Sequence, residues 1–187
     1  MTMEEDYINE KIPELSARSR TAFAIGCAER ALPVLDWYFG PKQRPNFDKA
    51  IELCWSHALG NSVSKAELKK AEKHWDATAD WLYDKDEDGS PYLFGVMAIL
   101  FALESISEPE AKVAQRSVGY SRGVAAGEDK PELHDTHIQE EAVWQVLALD
   151  VALATAEPSR DMFQKLPTDP TWLRSFRARK PPRPVGQ

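Results

Sequence analysis

Apolar residues recur at three- and four-residue steps along nearly the whole chain, the spacing of one face of an α-helix. The first apolar stripe follows Ser16 and consists of Phe23, Cys27, Ala31, Val34, Leu35 and Tyr38. Pro33 lies inside this stripe and has no N–H, so the carbonyl of Glu29 loses its helical partner. The pattern predicts a first helix that is kinked or broken at Pro33 and ends at Gly40.

Each later helix is predicted from a start signal followed by an apolar stripe. The predicted starts are Asn46 for the second helix, Ser64 with Glu67 for the third, Ser90 with Pro91 for the fourth, Ser107 with Glu110 for the fifth, and Asp135 for the sixth. Segment 92–103 is apolar nearly all round, which predicts the central buried helix. With a short helix at 171–177 and no alternating run, the sequence predicts an all-α bundle of six to seven helices, the first kinked at a proline.

Charge divides the 187 residues into an acidic arm (1–15), one all-α domain (16–178) and a basic, proline-rich, flexible tail (179–187). Acids outnumber bases 30 to 23, so the net charge is −7. Five bases and no acid follow Asp169, and without them 18 bases face 30 acids, a body at −12. Such a body repels nucleic acid and anionic membranes and favours a basic protein partner.

The two cysteines, Cys27 and Cys54, lie inside apolar helical patterns and form no metal or redox motif. The N-terminus lacks the apolar region of a signal peptide. The apolar run at 92–103 is shorter than the ~20 residues that a membrane helix needs. We therefore expect a reduced, cytoplasmic protein that does not insert into membranes.

An acidic segment between the third and fourth helices matches the first half of a calcium-binding EF-hand loop. Position twelve should be a bidentate glutamate and is Gly95, and position eight, usually a β-branched apolar residue, is Pro91. The pattern is better explained by a solvated loop or by a metal-free loop that recognises a basic partner. The predicted partner-binding residues of this loop are Asp84, Asp86, Glu87 and Asp88.

A second constellation consists of His134, His137 and Glu141, which share one side of a helix. Two histidines and a carboxylate can bind zinc, but no further local ligand follows, so exposed polar residues are the simpler interpretation. The acids around them form a second predicted contact surface for the basic partner. Its members are Glu128, Asp129, Glu132, Asp135, Glu140 and Glu141.

Several residues are predicted to be structural rather than catalytic: Glu29, Arg30, Pro33, Trp55 and Asp150. Charges inside apolar helices need partners if they are buried. Asp150 would then need a cationic or hydrogen-bond-donor partner, and Arg20 and Arg30 are the candidates.

Glycines at every fourth position, Gly119, Gly123 and Gly127, favour close approach of another helix. Neither a nucleophile motif nor a cofactor motif is found, so no enzyme is predicted.

The segment 18–33, with its string Cys27-Ala28-Glu29-Arg30-Ala31-Leu32-Pro33, is followed by Ala50-Ile51-Glu52-Leu53-Cys54-Trp55 in the next helix. This first third of the chain resembles a helical family of immunity proteins from bacterial polymorphic toxin systems. The resemblance implies a non-enzymatic protein that binds its cognate toxin domain stoichiometrically and blocks it. Neutralising a lethal partner requires a Kd on the order of nanomolar or better. The acidic body would suit a basic toxin such as a nuclease.

Two other functions are kept open by the residues themselves. The first is a metal-binding or metal-dependent helical protein that uses the 84–88 loop or the histidine cluster. The second is a helical adaptor that docks a helix of its partner. The toxin's activity, the surface it contacts and the oligomeric state do not follow from the sequence.

Overall fold

The computed structural model describes residues 2–85, 90–126, 134–166 and 170–177, without the side chains of residues 134 and 175–177. Within these ranges the chain forms ten α-helices and one 3-10 helix (Ile12–Glu14), and no strand. The all-α prediction is confirmed, whereas six to seven helices is too few. The helices are α1 (Met3–Lys11), α2 (Ala17–Glu29), α3 (Leu32–Phe39), α4 (Arg44–Ala58), α5 (Lys65–Tyr83), α6 (Pro91–Ser107), α7 (Ala111–Ala126), α8 (His134–Ala154), α9 (Arg160–Gln164) and α10 (Thr171–Arg177).

The chain breaks between α2 and α3 instead of forming one kinked helix. Tight turns close the end of α2, because Arg30 N and Ala31 N donate to the carbonyls of Cys27 and Ala28 at 3.2 and 3.0 Å. Pro33 falls in the first turn of α3, where a missing N–H costs no helical hydrogen bond. A single kinked helix is therefore not confirmed, and the break places Arg30 at a corner.

Two of the predicted caps are confirmed. The Ser64 hydroxyl accepts a hydrogen bond from Glu67 N at 3.4 Å at the start of α5, and the Ser90 hydroxyl accepts one from Leu93 N at 3.2 Å at the start of α6. A hydroxyl in this place satisfies one of the donors left open in the first helical turn.

The other two predicted caps are wrong. Asn46 lies inside α4, which begins two residues earlier with Pro45 in its first turn, a position that suits proline. Ser107 is the last residue of α6, and its hydroxyl donates to the Glu104 carbonyl at 3.1 Å, so it closes one helix instead of opening the next.

The apolar helix α6 lies at the centre of the fold, as predicted, and packs against α2, α3, α4, α5 and α7. Its buried side chains include Leu93, Val96, Ile99 and Leu103. In the part of the chain that the structure describes, no helix combines the length and the apolarity needed to cross a bilayer.

The predicted acidic arm contains α1 and the 3-10 helix, whose Ile8 and Ile12 are buried. Helix α1 packs on α8, where the Tyr7 hydroxyl donates to Asp150 Oδ1 at 2.6 Å. Asp150 is exposed, so the condition for a buried charge does not arise. Its hydrogen-bond donor is Tyr7, not one of the candidate partners Arg20 and Arg30.

Cys27 and Cys54 are fully buried free thiols. Burial raises the pKa of both thiols, so they stay protonated and are poor nucleophiles.

The two described glycines of the α7 stripe differ in how closely a neighbouring helix approaches them. A Cβ at Gly123 would lie 2.7 Å from Phe94 Cδ2 of α6, so α6 and α7 approach closely there. A Cβ at Gly119 would meet nothing within 4 Å, so the predicted close approach is wrong at that position. Gly127 lies outside the described residues.

We expect alanine to act with opposite sign at these two glycines. Gly119→Ala should stabilise the protein by about 0.5–1 kcal/mol, because alanine loses less backbone entropy in a helix and has room here. Gly123→Ala should destabilise it by about 1 kcal/mol, because the Phe94 ring must move. Urea denaturation of both variants measures the difference, and the same sign at both positions would contradict the packing of α6 on α7.

Candidate partner-binding site

An open groove of about 760 Å³ runs along α8 beside the start of α10, and we call it the α8–α10 groove. Arg30, from the corner after α2, and Pro170, just before α10, contribute to its lining. The other lining residues all come from α8 and are Asp135, Thr136, Gln139, Glu140, Val143, Trp144 and Leu147.

Two apolar side chains of α8 face outward in the groove. Val143 and Leu147 are 45% and 42% exposed, although most large apolar residues of this chain are buried. They are four residues apart and therefore lie one helical turn apart on one face. The two side chains therefore give the groove an exposed apolar part.

Arg30, which lines the groove, forms a buried ion pair with Glu141. Arg30 Nε lies 2.9 Å from both carboxylate oxygens of Glu141, and Arg30 NH2 lies 2.8 Å from Oε2. The Arg30 side chain is 9% exposed and the Glu141 side chain is fully buried. The guanidinium also stacks over the Trp144 ring, 4.1 Å from its centroid. Bidentate geometry and cation–π contact together compensate for part of the cost of removing both charges from water.

Burial raises the pKa of the Glu141 carboxyl, while the charge and hydrogen bonds of Arg30 oppose that rise. The pKa of Glu141 is also lowered by the indole of Trp172 and by the charge of Arg122. Trp172 belongs to α10 and is almost fully buried, so its effect on Glu141 brings α10 close to the pair.

The neighbouring carboxylate, Glu140, holds the first turn of α10. It accepts hydrogen bonds from Thr171 N at 2.9 Å and from Thr171 Oγ1 at 2.6 Å. A carboxylate at this position satisfies a backbone donor of the first turn and interacts favourably with the helix dipole. Adjacent residues of α8 therefore fix two different sides of the groove.

Glu29 makes a parallel connection to α9. Its carboxylate forms an ion pair with Arg160. Burial raises the pKa of Glu29, and the charge of Arg160 opposes the rise. Phe163 of α9 packs on Gly26, where a Cβ atom would lie 3.2 Å from Phe163 Cδ2. The same ring packs on Trp55, with the two ring centroids 5.9 Å apart. Adjacent residues at the end of α2 thus tie two C-terminal elements to the first third of the chain.

The structure separates the predicted contact acids into three groups. Asp84, at the end of α5, and Asp135, on the groove, are exposed. Glu140 is half-buried and engaged by α10. Glu141 is fully buried, so its predicted place on a contact surface is wrong, because its face of α8 is turned toward Arg30. The remaining residues, Asp86, Glu87, Asp88, Glu128, Asp129 and Glu132, lie outside the described ranges.

The expected exposed polar face around His137 is also wrong, because both His137 and Glu141 are fully buried. The His134 side chain lies outside what the structure describes. Among the described residues, no group of three or more His, Cys, Asp or Glu side chains is placed to hold a metal ion.

Sequence reasoning missed Val143 and Leu147 as site residues. Segment 142–156 is almost wholly apolar, and periodicity cannot separate an outward-facing side from a buried one in such a run. The signal that could have indicated their exposure is the excess of apolar residues, because a helix at the edge of a bundle needs only one apolar stripe to pack.

A second acidic patch lies on α5 and α6. Burial raises the pKa of Glu104, and the nearby charges of Glu108, Glu72 and Asp76 raise it further, while the charge of Arg116 on α7 opposes the rise. The pKa of Glu72 is raised by burial and by Glu108, while Ser107 lowers it through a hydrogen bond. These carboxylates make this face of α5 and α6 a source of negative potential.

Comparison with protein-family models, with curated proteins and with solved structures finds no match to this chain. The site is therefore interpreted from its own geometry.

We expect Arg30→Ala to destabilise the protein by about 3 kcal/mol, because it leaves the Glu141 carboxylate buried without a partner. Glu29→Ala should cost no more than about 1 kcal/mol, because its partner Arg160 is half exposed. Thermal and urea denaturation measure both effects.

Lys49→Ala, which breaks an exposed pair with Glu67, is the matched control and should leave the melting temperature nearly unchanged. The double variant Arg30→Met with Glu141→Leu should recover most of the stability that Arg30→Ala loses. Equal losses in the Arg30, Glu29 and Lys49 variants would contradict the central role of the Arg30–Glu141 pair.

The raised pKa of Glu104 gives a pH-dependent prediction. A carboxyl whose pKa is higher in the folded state stabilises the fold below its ordinary pKa, and this contribution is lost as the pH rises through the folded-state value. Glu104→Gln cannot ionise, so it should be more stable than the wild type at pH 7, by less than about 0.5 kcal/mol after solvent screening.

Melting temperatures between pH 4 and pH 8 check this, and the difference should shrink as the pH falls toward about 4.5. Glu52→Gln, on an exposed part of α4, controls for the loss of one negative charge. A Glu104→Gln variant less stable than the wild type at pH 7 would contradict the unfavourable placement of this carboxylate.

Proposed function

We propose that this chain is an immunity protein, without enzymatic activity, that binds one cognate toxin domain and occludes it. The observation that carries the proposal is the α8–α10 groove, which is lined by the exposed pair Val143 and Leu147 and, about two turns earlier on α8, by the exposed carboxylate Asp135. An apolar centre with a charged rim is the usual anatomy of a protein–protein interface.

The charge of the chain supports a basic toxin, such as a nuclease. The net charge of −7 and the acidic patch on α5 and α6 attract a cationic surface over long range. Complementary charge raises the association rate, which favours capture of a toxin before it reaches its target.

The residues that carry the resemblance to immunity proteins act in the fold. Cys27 and Ala28 are buried, Glu29 and Arg30 hold α9 and α8, and Pro33 begins α3. Their role is compatible with a family that keeps its scaffold while its contact surface varies. These residues therefore bear on the proposed family, and the surface residues would determine which toxin is bound.

The experiment uses the toxin domain encoded by the adjacent open reading frame. We expect co-expression of this chain to restore growth of cells that produce the domain, and calorimetry to give a 1:1 complex with a Kd on the order of nanomolar. An adjacent metabolic operon, or a toxin domain that kills cells equally with and without this chain, would overturn the proposal.

The acidic segment after α5 supplies a kinetic prediction. Replacing Asp84, Asp86, Glu87 and Asp88 by lysine should slow association with that domain and flatten its salt dependence, because steering acts mainly on the on-rate. The free energy of unfolding should change little.

Stopped-flow measurements at low and high salt compare this variant with a control of equal charge change. The control replaces four exposed acids of α1, the 3-10 helix, α4 and α5 by lysine: Glu10, Glu14, Glu52 and Glu67. Identical rates for the two variants at both salts would show that total charge alone matters and that the 84–88 segment is not a contact.

A further inference from the structure

We infer that the occupant of the α8–α10 groove is an amphipathic, basic helix of the partner, with two apolar side chains one turn apart and a lysine or arginine about two turns away from them. The inference rests on the proposed function for the identity of the partner. The chemistry of the occupant follows from the groove.

The apolar part of the groove has the repeat of a helix. Val143 and Leu147 are separated by four residues, or about 6 Å along the axis of α8. A second helix presents residues i and i+4 with the same pitch, so its side chains can interdigitate with this pair. Trp144 lies between them in the chain and forms part of the floor, which gives the contact a rigid aromatic base.

The backbone requirement also favours a helix. Around Val143 and Leu147 the groove is lined by side chains of α8 beyond its first turn, where the main-chain groups are used within the helix, and the described ranges contain no strand edge to which an extended peptide could pair. A segment that loses water on such a surface must satisfy its own N–H and C=O groups. A helix does so, and helix-in-groove docking is the recognition mode that uses anchors at this spacing.

Charge selects a basic helix. The positive charge of Arg30 is balanced by Glu141, and Glu140 is engaged by the first turn of α10, so the exposed carboxylate of Asp135 is what makes the lining negative. Asp135 is exposed two turns before Val143, within reach of a lysine or arginine on a helix that lies along α8. A second copy of this chain would bring the same acids and another net charge of −7, so self-association on this face is electrostatically disfavoured.

The test uses two fluorescently labelled synthetic helical peptides with the same leucine pair at i and i+4. One carries lysine on the flanks of the leucine face and the other carries glutamate. We expect the lysine peptide to bind the full chain, at least tenfold more tightly than the glutamate peptide, by fluorescence anisotropy. Equal binding of the two peptides, or no binding of the lysine peptide, would overturn the inference.

Variants of the groove localise the binding. Leu147→Asp should weaken binding of the lysine peptide at least tenfold, and Leu147→Ser should weaken it less while keeping the helix. Leu59→Asp, at an equally exposed leucine after α4, is the matched control and should bind as the wild type does. Circular dichroism verifies that each variant is folded, and unchanged affinity in both Leu147 variants would overturn the inference.

Two further measurements identify other occupants. A wild-type dimer in light scattering that becomes a monomer in Leu147→Asp would assign the groove to a second copy and overturn the inference. A tenfold gain in peptide affinity on deletion of residues 178–187 would assign it to the basic tail of this chain and overturn it as well. An unchanged affinity and a monomer support the partner helix.

The toxin domain separates the inference from the proposed function. If the domain binds the wild type and Leu147→Asp equally, the immunity function survives and the groove is the wrong surface. If the lysine peptide binds the groove but the domain does not bind the chain, the groove is correct and the proposed function fails.

Discussion

The buried ion pair of Arg30 and Glu141 is the interaction on which the rest of the structure depends. It joins the end of α2 to α8, stacks on Trp144 and lies under Trp172 of α10. A buried charge without its partner costs several kcal/mol, so neither residue is tolerated in the interior alone. Helices α2, α8 and α10 must therefore be in place together, and the first third of the chain is committed to the last.

The groove is a consequence of this constraint. The face of α8 that contains Glu141 is turned inward toward Arg30, and Glu140 fixes the start of α10 at one side. Val143 and Leu147 lie one and two turns after Glu140 on α8. No described helix covers them, so they remain exposed. An apolar surface on an already ordered helix loses little backbone entropy on binding.

At the end of α2 and on α8, adjacent residues contact different elements of the fold. Glu140 and Glu141 point to different helices, as do Glu29 and Arg30, because successive side chains on a helix are about 100° apart. A sequence pattern that places a cluster of acids on one surface overlooks this rotation. The acids near the start of α8 therefore divide into exposed, engaged and buried groups.

The sequence by itself determined the local features. Helical periodicity identified the all-α class, the hydroxyls of Ser64 and Ser90 identified two helix starts, and the apolar run identified α6 as the central helix. These features depend on contacts within about four residues, so they can be predicted from the sequence alone.

Only the tertiary structure decided the partner of Arg30, which lies 111 residues away, and the exposure of Val143 and Leu147. In a helix that is apolar nearly all round, the exposed side is set by which neighbours pack against it, and periodicity carries no information about those neighbours.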